Sequence, residues 1–348
     1  MNRTNIKLPI IMNFSEYPIC TMPLVESYLK YKKIFNDTAF VFLDYSLKYE
    51  KFGDEISIDK NSELNLSLTI GGKSIGKTDF DNNDKYMTAL REIYGVTVGS
   101  VDNHAIKLFK DYIVKQLMLE EPVIFQFDLF YIADRMHYRK RYYDHMIAII
   151  GYDEQNKCYH CIDGSSNPYF VLTETDFEEG FEYVLRKYGS VRSYYIEYNN
   201  RIIVPDLKYL KSRLEKILEY NNQGDKFGLN ALCSFSRDIK EFLHLNTSGK
   251  SFDIADSYKI YKERKTSIRS LQKFEELYPE YNKELRDVVS AMQLEERLWF
   301  EFFFITKRSL LDEKWIYEKQ WLFIIDKLQG AMKKTIQKIE DLNIRLKE

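Results

Sequence analysis

The chain has 348 residues, too many for one ordinary domain and about right for two. Its 51 basic and 53 acidic residues leave a net charge of −2, so no overall basic footprint points to nucleic acid. Four cysteines are too few for a disulfide scaffold, no secretory h-region leads the chain, and no apolar run approaches the ~18 residues of a membrane span; a cytoplasmic protein without membrane or nucleic-acid partners is expected.

Two halves of different character follow one another. Residues 1–200 hold 10 of the 14 Gly, 5 of the 7 Pro and 3 of the 4 Cys, and carry a net charge of −6 against +4 for residues 201–348. In chain order, the first half predicts a helix over Pro23–Phe35. A second is predicted over Asp102–Leu119, with Ile106, Leu108, Tyr112, Ile113 and Leu117 on its apolar side. Runs rich in β-branched and aromatic residues then predict strands at Val123–Phe127, Met146–Tyr152, Tyr159–Ile162, Tyr169–Leu172 and Val191–Tyr198. Turn chemistry at Asp153–Lys157 and Gly164–Pro168 separates some of these strands and makes the sheet antiparallel, an α+β layout. Beyond a boundary near Asn199–Pro205, breakers are scarce and apolar residues recur at helical spacing. Five helices are predicted near 206–221, 226–245, 253–278, 281–309 and 312–346, as a bundle or paired hairpins. The expected organisation is an α+β domain over 1–202 and an all-α domain over 203–348.

Nucleophilic cysteine catalysis needs a thiolate, a base to generate it and a group to orient the base. Cys20 stands immediately before the first helix, where Pro23 in the first turn costs no hydrogen bond. A helix N-terminus lowers a thiol pKa and offers unpaired N–H groups to an oxyanion, although a cysteine there is more commonly plain core. His145 opens an apolar strand, and the turn after Asp153 leads to a second strand ending at Asp163. A turn centred near residue 154 sets residue 163 opposite residue 145, and opposed Cβ atoms lie ~4.5–5.5 Å apart. A one-residue slip would turn the pair to opposite faces, leaving a strand-end histidine and a loop-capping aspartate with no common purpose.

His145 follows Cys20 by 125 residues and Asp163 lies another 18 residues on, an order similar to the papain-type Cys–His–Asp/Asn arrangement. The run Pro122-Val123-Ile124-Phe125-Gln126-Phe127-Asp128, then Tyr131, Tyr138, His145–Asp153 and Ile162-Asp163, resembles the butirosin biosynthesis protein H-like family. The resemblance continues at Phe227-Gly228-Leu229-Asn230-Ala231-Leu232 and covers most of residues 14–245; around Cys20 only the cysteine and the following helix match. It implies a papain-like N-terminal domain with a helical C-terminal region, and transfer of an acyl group from a carrier-protein thioester to an amine in antibiotic biosynthesis. By that resemblance Cys20 accepts the acyl group, His145 activates the thiol and Asp163 orients His145. The same triad serves a cysteine peptidase, amidase or thioesterase if water replaces the amine, and a silent binding module would keep the fold without turnover. The helical half is expected to roof the acceptor site or to form a homodimer.

Papain-like enzymes place a glutamine a few residues before the cysteine; here Asn13 is the candidate oxyanion donor in its place. Arg135-Met136-His137-Tyr138-Arg139-Lys140-Arg141 is a basic, aromatic-laced run just before His145. Arg135, Arg139, Lys140 and Arg141 are the candidates for docking an acyl or peptidyl carrier protein or its phosphopantetheine phosphate, the alternative being a solvated loop. Gly71–Thr78 formally matches G-x-x-x-x-G-K-[ST], but the acidic residues that follow make a poor helix start and repel phosphate. Cys158 and Cys161 are three apart on a predicted strand and lack a second pair, so no metal is expected. No cofactor is expected beyond the phosphopantetheine on which a partner would carry the substrate.

Overall fold

The computed structural model describes residues 5–12, 20–34, 43, 45, 47–51, 66–69, 85–165, 167–198, 205–225, 227–244, 257–312 and 318–347. In chain order the elements are β1 (Asn5–Lys7), α1 (Thr21–Tyr31), β2 (Lys48–Lys51), β3 (Leu66–Thr69), α2 (Lys85–Tyr94), β4 (Val96–Asn103), α3 (Ile106–Met118), β5 (Val123–Asp128) and β6 (Asp144–Asp153). They continue with β7 (Cys158–Asp163), β8 (Tyr169–Thr173), α4 (Glu174–Tyr188), β9 (Val191–Tyr198), α5 (Leu207–Asn221), α6 (Gly228–His244), α7 (Ser257–Leu277), α8 (Asn282–Asp312) and α9 (Glu318–Arg345). The chain divides into two units, Met1–Phe40 with Thr78–Val204, and Val41–Lys77 with Pro205–Glu348. Among the described residues no helix is long and apolar enough to cross a membrane.

The first unit is built on an antiparallel sheet of order β4-β9-β5-β6-β7-β8, with β1 added to β6. All six residues of β5 are buried, and Phe109, Ile113 and Leu117 bury one side of α3 at helical spacing. Phe177, Phe181 and Val184 do the same for α4, whose rings join Phe109, Phe125 and Phe127 in one aromatic core. Burying each such ring stabilises by roughly 1.5–3 kcal/mol. Gly180 in mid-helix answers to this packing, because a Cβ there would stand 2.2 Å from Phe127 Cζ. Gly151 has an equivalent reason: a Cβ would stand 2.4 Å from the Ile6 carbonyl oxygen, so glycine lets β1 pair with β6. Two residues on, Asp153 caps the following turn by accepting from the Asn156 backbone N–H at 3.0 Å and its amide at 2.8 Å.

The structure departs from the sequence expectations in several places, and β1, α2 and β4 are elements outside those expectations. The helix expected from Asp102 begins only at Ile106, because Asp102 and Asn103 finish β4, paired throughout with β9. Helix α4 is an additional element, capped by Thr173, whose hydroxyl accepts from the Asp176 N–H, and ended by Gly189 at φ 80°. The second unit is not all-α and does not begin at 203: residues 41–77 belong to it and supply the β2–β3 hairpin. Leu43, Tyr45 and Leu47 alternate into its core among Leu210, Leu214, Phe235 and Trp299. Gly228 N–H donates to the Leu47 carbonyl at 2.7 Å and Arg213 Nε to that of Leu43 at 3.0 Å.

Helices α5 to α9 form the rest of the second unit around that core. A charged network is sealed inside it. Arg264 and Glu295 are 0% exposed, with Arg264 Nε on Glu295 Oε1 at 2.7 Å and the guanidinium 3.9 Å above the Tyr45 ring. Tyr45 Oη donates to the other Glu295 oxygen, and Trp299 Nε1 donates to Glu295 Oε1 at 3.2 Å. Removing one partner of a buried pair leaves the other charge uncompensated, which costs about 3–5 kcal/mol. Glu295→Ala should therefore destabilise this unit by that amount in urea, read by tryptophan fluorescence, since Trp299 and Trp321 lie in its core. A loss below ~1 kcal/mol would show that the network is held by packing alone.

Candidate active site

Cys20 precedes α1 with helical backbone angles, φ −66° and ψ −17°, and Pro23 occupies the first turn. No acidic residue stands in that turn to oppose a thiolate. His145 is the second residue of β6, opposite Phe127 on β5, and Asp163 ends β7. The turn following Asp163 lies against the start of α1: a Cβ on Gly164 would be 3.1 Å from Pro23 Cγ and 3.3 Å from the Cys20 carbonyl oxygen. Sheet and helix thus bring the three residues together across 143 positions of sequence, from 20 to 163.

The hairpin does not pair them as the sequence predicts. Asp163 faces Ile147, not His145, and the register shifts by a bulge between Ile149 and Gly151. Near the turn Asp153 pairs with Cys158; continued unbroken, that register would set Asp163 opposite Ala148, on the face away from His145. The extra residue in β6 restores the parity. His145 and Asp163 are then diagonal neighbours on one face, and the imidazole spans the gap with Nε2 3.4 Å from Asp163 Oδ2.

With Nε2 on Asp163, Nδ1 is the nitrogen left for Cys20. Burial pushes the Cys20 thiol up, but a hydrogen bond from His145, the imidazolium charge and the Met146 backbone N–H hold it below the ordinary thiol value. Burial pushes His145 down; its bonds to Asp163 and Cys20 and their negative charges outweigh this and raise it to about 9. Burial likewise pushes Asp163 up, and His145, Ser165 and Arg135 bring it below the usual carboxylate range. Both directions, thiol lowered and imidazole raised, favour a thiolate facing an imidazolium. Cys158 and Cys161 are buried free thiols whose values burial raises, so they are poor nucleophiles.

No protein-family model matches the chain, and no curated protein matches it.

The basic run divides on inspection. Arg135 is not part of an exposed patch: its side chain is 9% exposed, with Nε and one Nη each 3.0 Å from Asp163 Oδ2. Arg139 is committed to Asp176 and Glu179 on α4, both at 2.6 Å, beside Phe130, Tyr131 and Tyr138. Lys140 and Arg141 remain exposed, next to the half-exposed Tyr142 and Tyr143. Charge count alone does not separate these roles; the burial of Arg135 against the Asp163 carboxylate does. His104 Nδ1 lies 3.0 Å from the Gly189 carbonyl oxygen, away from the triad. Asn13 and the Gly71–Thr78 motif lie outside the described residues, and among those described no group of three metal-ligating side chains occurs.

A thiol held below its ordinary value is expected to react at a pH where free thiols do not. At pH 6 iodoacetamide should label Cys20 ahead of the more exposed Cys233, with Cys158 and Cys161 unlabelled. His145→Ala should slow Cys20 labelling at pH 6 by roughly 10- to 100-fold, since a free thiol of pKa ~8.5 is under about 1% thiolate there. Peptide mapping with equal labelling of Cys20 and Cys233 at pH 6 would contradict the ion pair.

Proposed function

We propose that this chain is a cysteine acyltransferase with a papain-like first domain, related to the butirosin biosynthesis protein H-like family. It takes an acyl group from a carrier-protein phosphopantetheine thioester and passes it to a small-molecule amine. The observation that carries this reading is the convergence of Cys20, His145 and Asp163, with His145 raised to about 9 and Cys20 lowered. A reducing cytoplasm suits it, because the nucleophile is a free thiol.

The Cys20 thiolate attacks the thioester carbonyl and forms a C–S bond. The oxyanion faces the unpaired backbone N–H groups at the start of α1. Collapse breaks the bond to the phosphopantetheine sulfur, which leaves with the proton of the His145 imidazolium. Neutral His145 then takes a proton from the amine as it attacks acyl-Cys20. Cys20 departs as thiolate, an amide is released, and the ion pair is restored. Throughout, Asp163 keeps the ring oriented and favours its charged form.

Intact-protein mass spectrometry after incubation with acyl-carrier thioesters should show one acyl adduct, absent in Cys20→Ala and discharged by added amine. Absence of any adduct with carrier-bound and free acyl thioesters alike would remove the acyl-enzyme mechanism; discharge by water at the same rate with and without amine would make the protein a thioesterase. Donor docking falls to the exposed Lys140 and Arg141. Reversing both to Glu should raise KM for a carrier-bound donor several-fold at low salt with kcat unchanged, and leave KM for a free acyl thioester alone. Equal KM values for the carrier-bound donor before and after reversal would take the docking role from them.

A further inference from the structure

A carboxylate that orients a catalytic histidine needs something to orient it in turn, and here the second partner is a cation. Asp163 Oδ1 accepts the Ser165 N–H at 2.9 Å and Oδ2 accepts Arg135 Nε–H at 3.0 Å, with an Arg135 Nη also 3.0 Å away and His145 Nε2 3.4 Å away on the other side as charge contacts. The Arg135 guanidinium lies 4.6 Å from the centre of the Phe170 ring, so its plane is fixed by stacking as well as by charge. Its loop is tied down on both sides. Arg135 N–H donates to the Ile132 carbonyl at 3.0 Å, and Arg139 is clamped to Asp176 and Glu179 on α4.

We infer that Arg135 is a positioning residue of the triad, holding the Asp163 carboxylate charged and aimed at His145 rather than contributing to a docking surface. The inference rests on the acyl-Cys20 reading and adds the residue through which the β5–β6 loop acts on the nucleophile. An arginine beside Asp163 has two opposed effects. Its charge repels the imidazolium, which taken alone disfavours the thiolate–imidazolium pair. Its Nε–H bond and adjacent charge fix Oδ2, which favours the pair by keeping a full negative charge on the ring's Nε2 side. One directed Nε–H···Oδ2 hydrogen bond, an Nη charge contact at 3.0 Å and the stacking on Phe170, in a site of such low exposure, make orientation the larger effect. The other groups facing the pair are Cys20 at the start of α1 and Cys161 two residues before Asp163 on β7, and Tyr194 on β9 senses the Cys20 charge.

The competing signs make the test decisive. Thiolate absorbance at 240 nm is followed from pH 4 to 8.5 on the full chain, below the range where most of its 27 tyrosines ionise. Arg135→Gln should move the onset of thiolate upward by about one pH unit, and Arg135→Lys, a cation without the planar fork, by a smaller amount in the same direction. An onset unchanged or shifted downward in a folded Arg135→Gln protein overturns the inference. If that variant fails to fold, Arg135→Lys carries the test, and a wild-type onset there overturns it equally. Cys20→Ser separates the two claims: persistence of the low-pH absorbance in that variant removes the Cys20 nucleophile itself, whereas its loss together with an unmoved Arg135→Gln onset removes only the role of Arg135.

Discussion

Asp163 ends β7 with no exposed side-chain surface, and a carboxylate in that position must be compensated or protonated. Three groups meet it: the Ser165 N–H, the Arg135 fork and the His145 ring. Charge then passes outward along the site. A carboxylate held ionised favours imidazolium at His145, and imidazolium favours thiolate at Cys20. The directions of the His145 and Cys20 shifts both trace back to the first of these conditions.

The backbone that delivers this chain of charges is a sheet with a bulge. The extra residue between Ile149 and Gly151 decides whether Asp163 and His145 look the same way. Gly151, at the bulge, also admits β1, and Gly164 lets the turn after Asp163 approach Pro23 and Cys20. These are small residues at points of close approach, one between strands and one between sheet and helix.

Much of this is legible in the sequence, and the unread part has physical causes. The five C-terminal helices follow from apolar spacing that tertiary packing reinforces. The strands carrying His145 and Asp163 follow from their β-branched, aromatic runs. Helix α4 is marked by Thr173, by Phe177 and Phe181 four apart, and by Gly189; a reading that takes the sheet run by run passes over it. The bulge leaves no comparable mark, since it is a choice between registers that differ by one residue and is settled by what the strands pack against. The alternation of Leu43, Tyr45 and Leu47 predicts a buried face but not which core receives it, and that core lies more than 150 residues further along the chain. Arg135 and Lys140 are indistinguishable as members of a basic run. One is sunk onto a carboxylate 28 residues away and the other is left in solvent.

The account turns on the charge state of His145. Long-range nitrogen–proton NMR correlations of the ring, recorded across a pH titration of the isotopically labelled protein, report it directly. They should show a protonated imidazole that persists to about pH 9 and loses its proton at lower pH in Cys20→Ser. A ring that titrates near the ordinary ~6.5 in the wild-type protein, and is unaffected by loss of the Cys20 sulfur, would contradict the thiolate–imidazolium pair and the mechanism built on it.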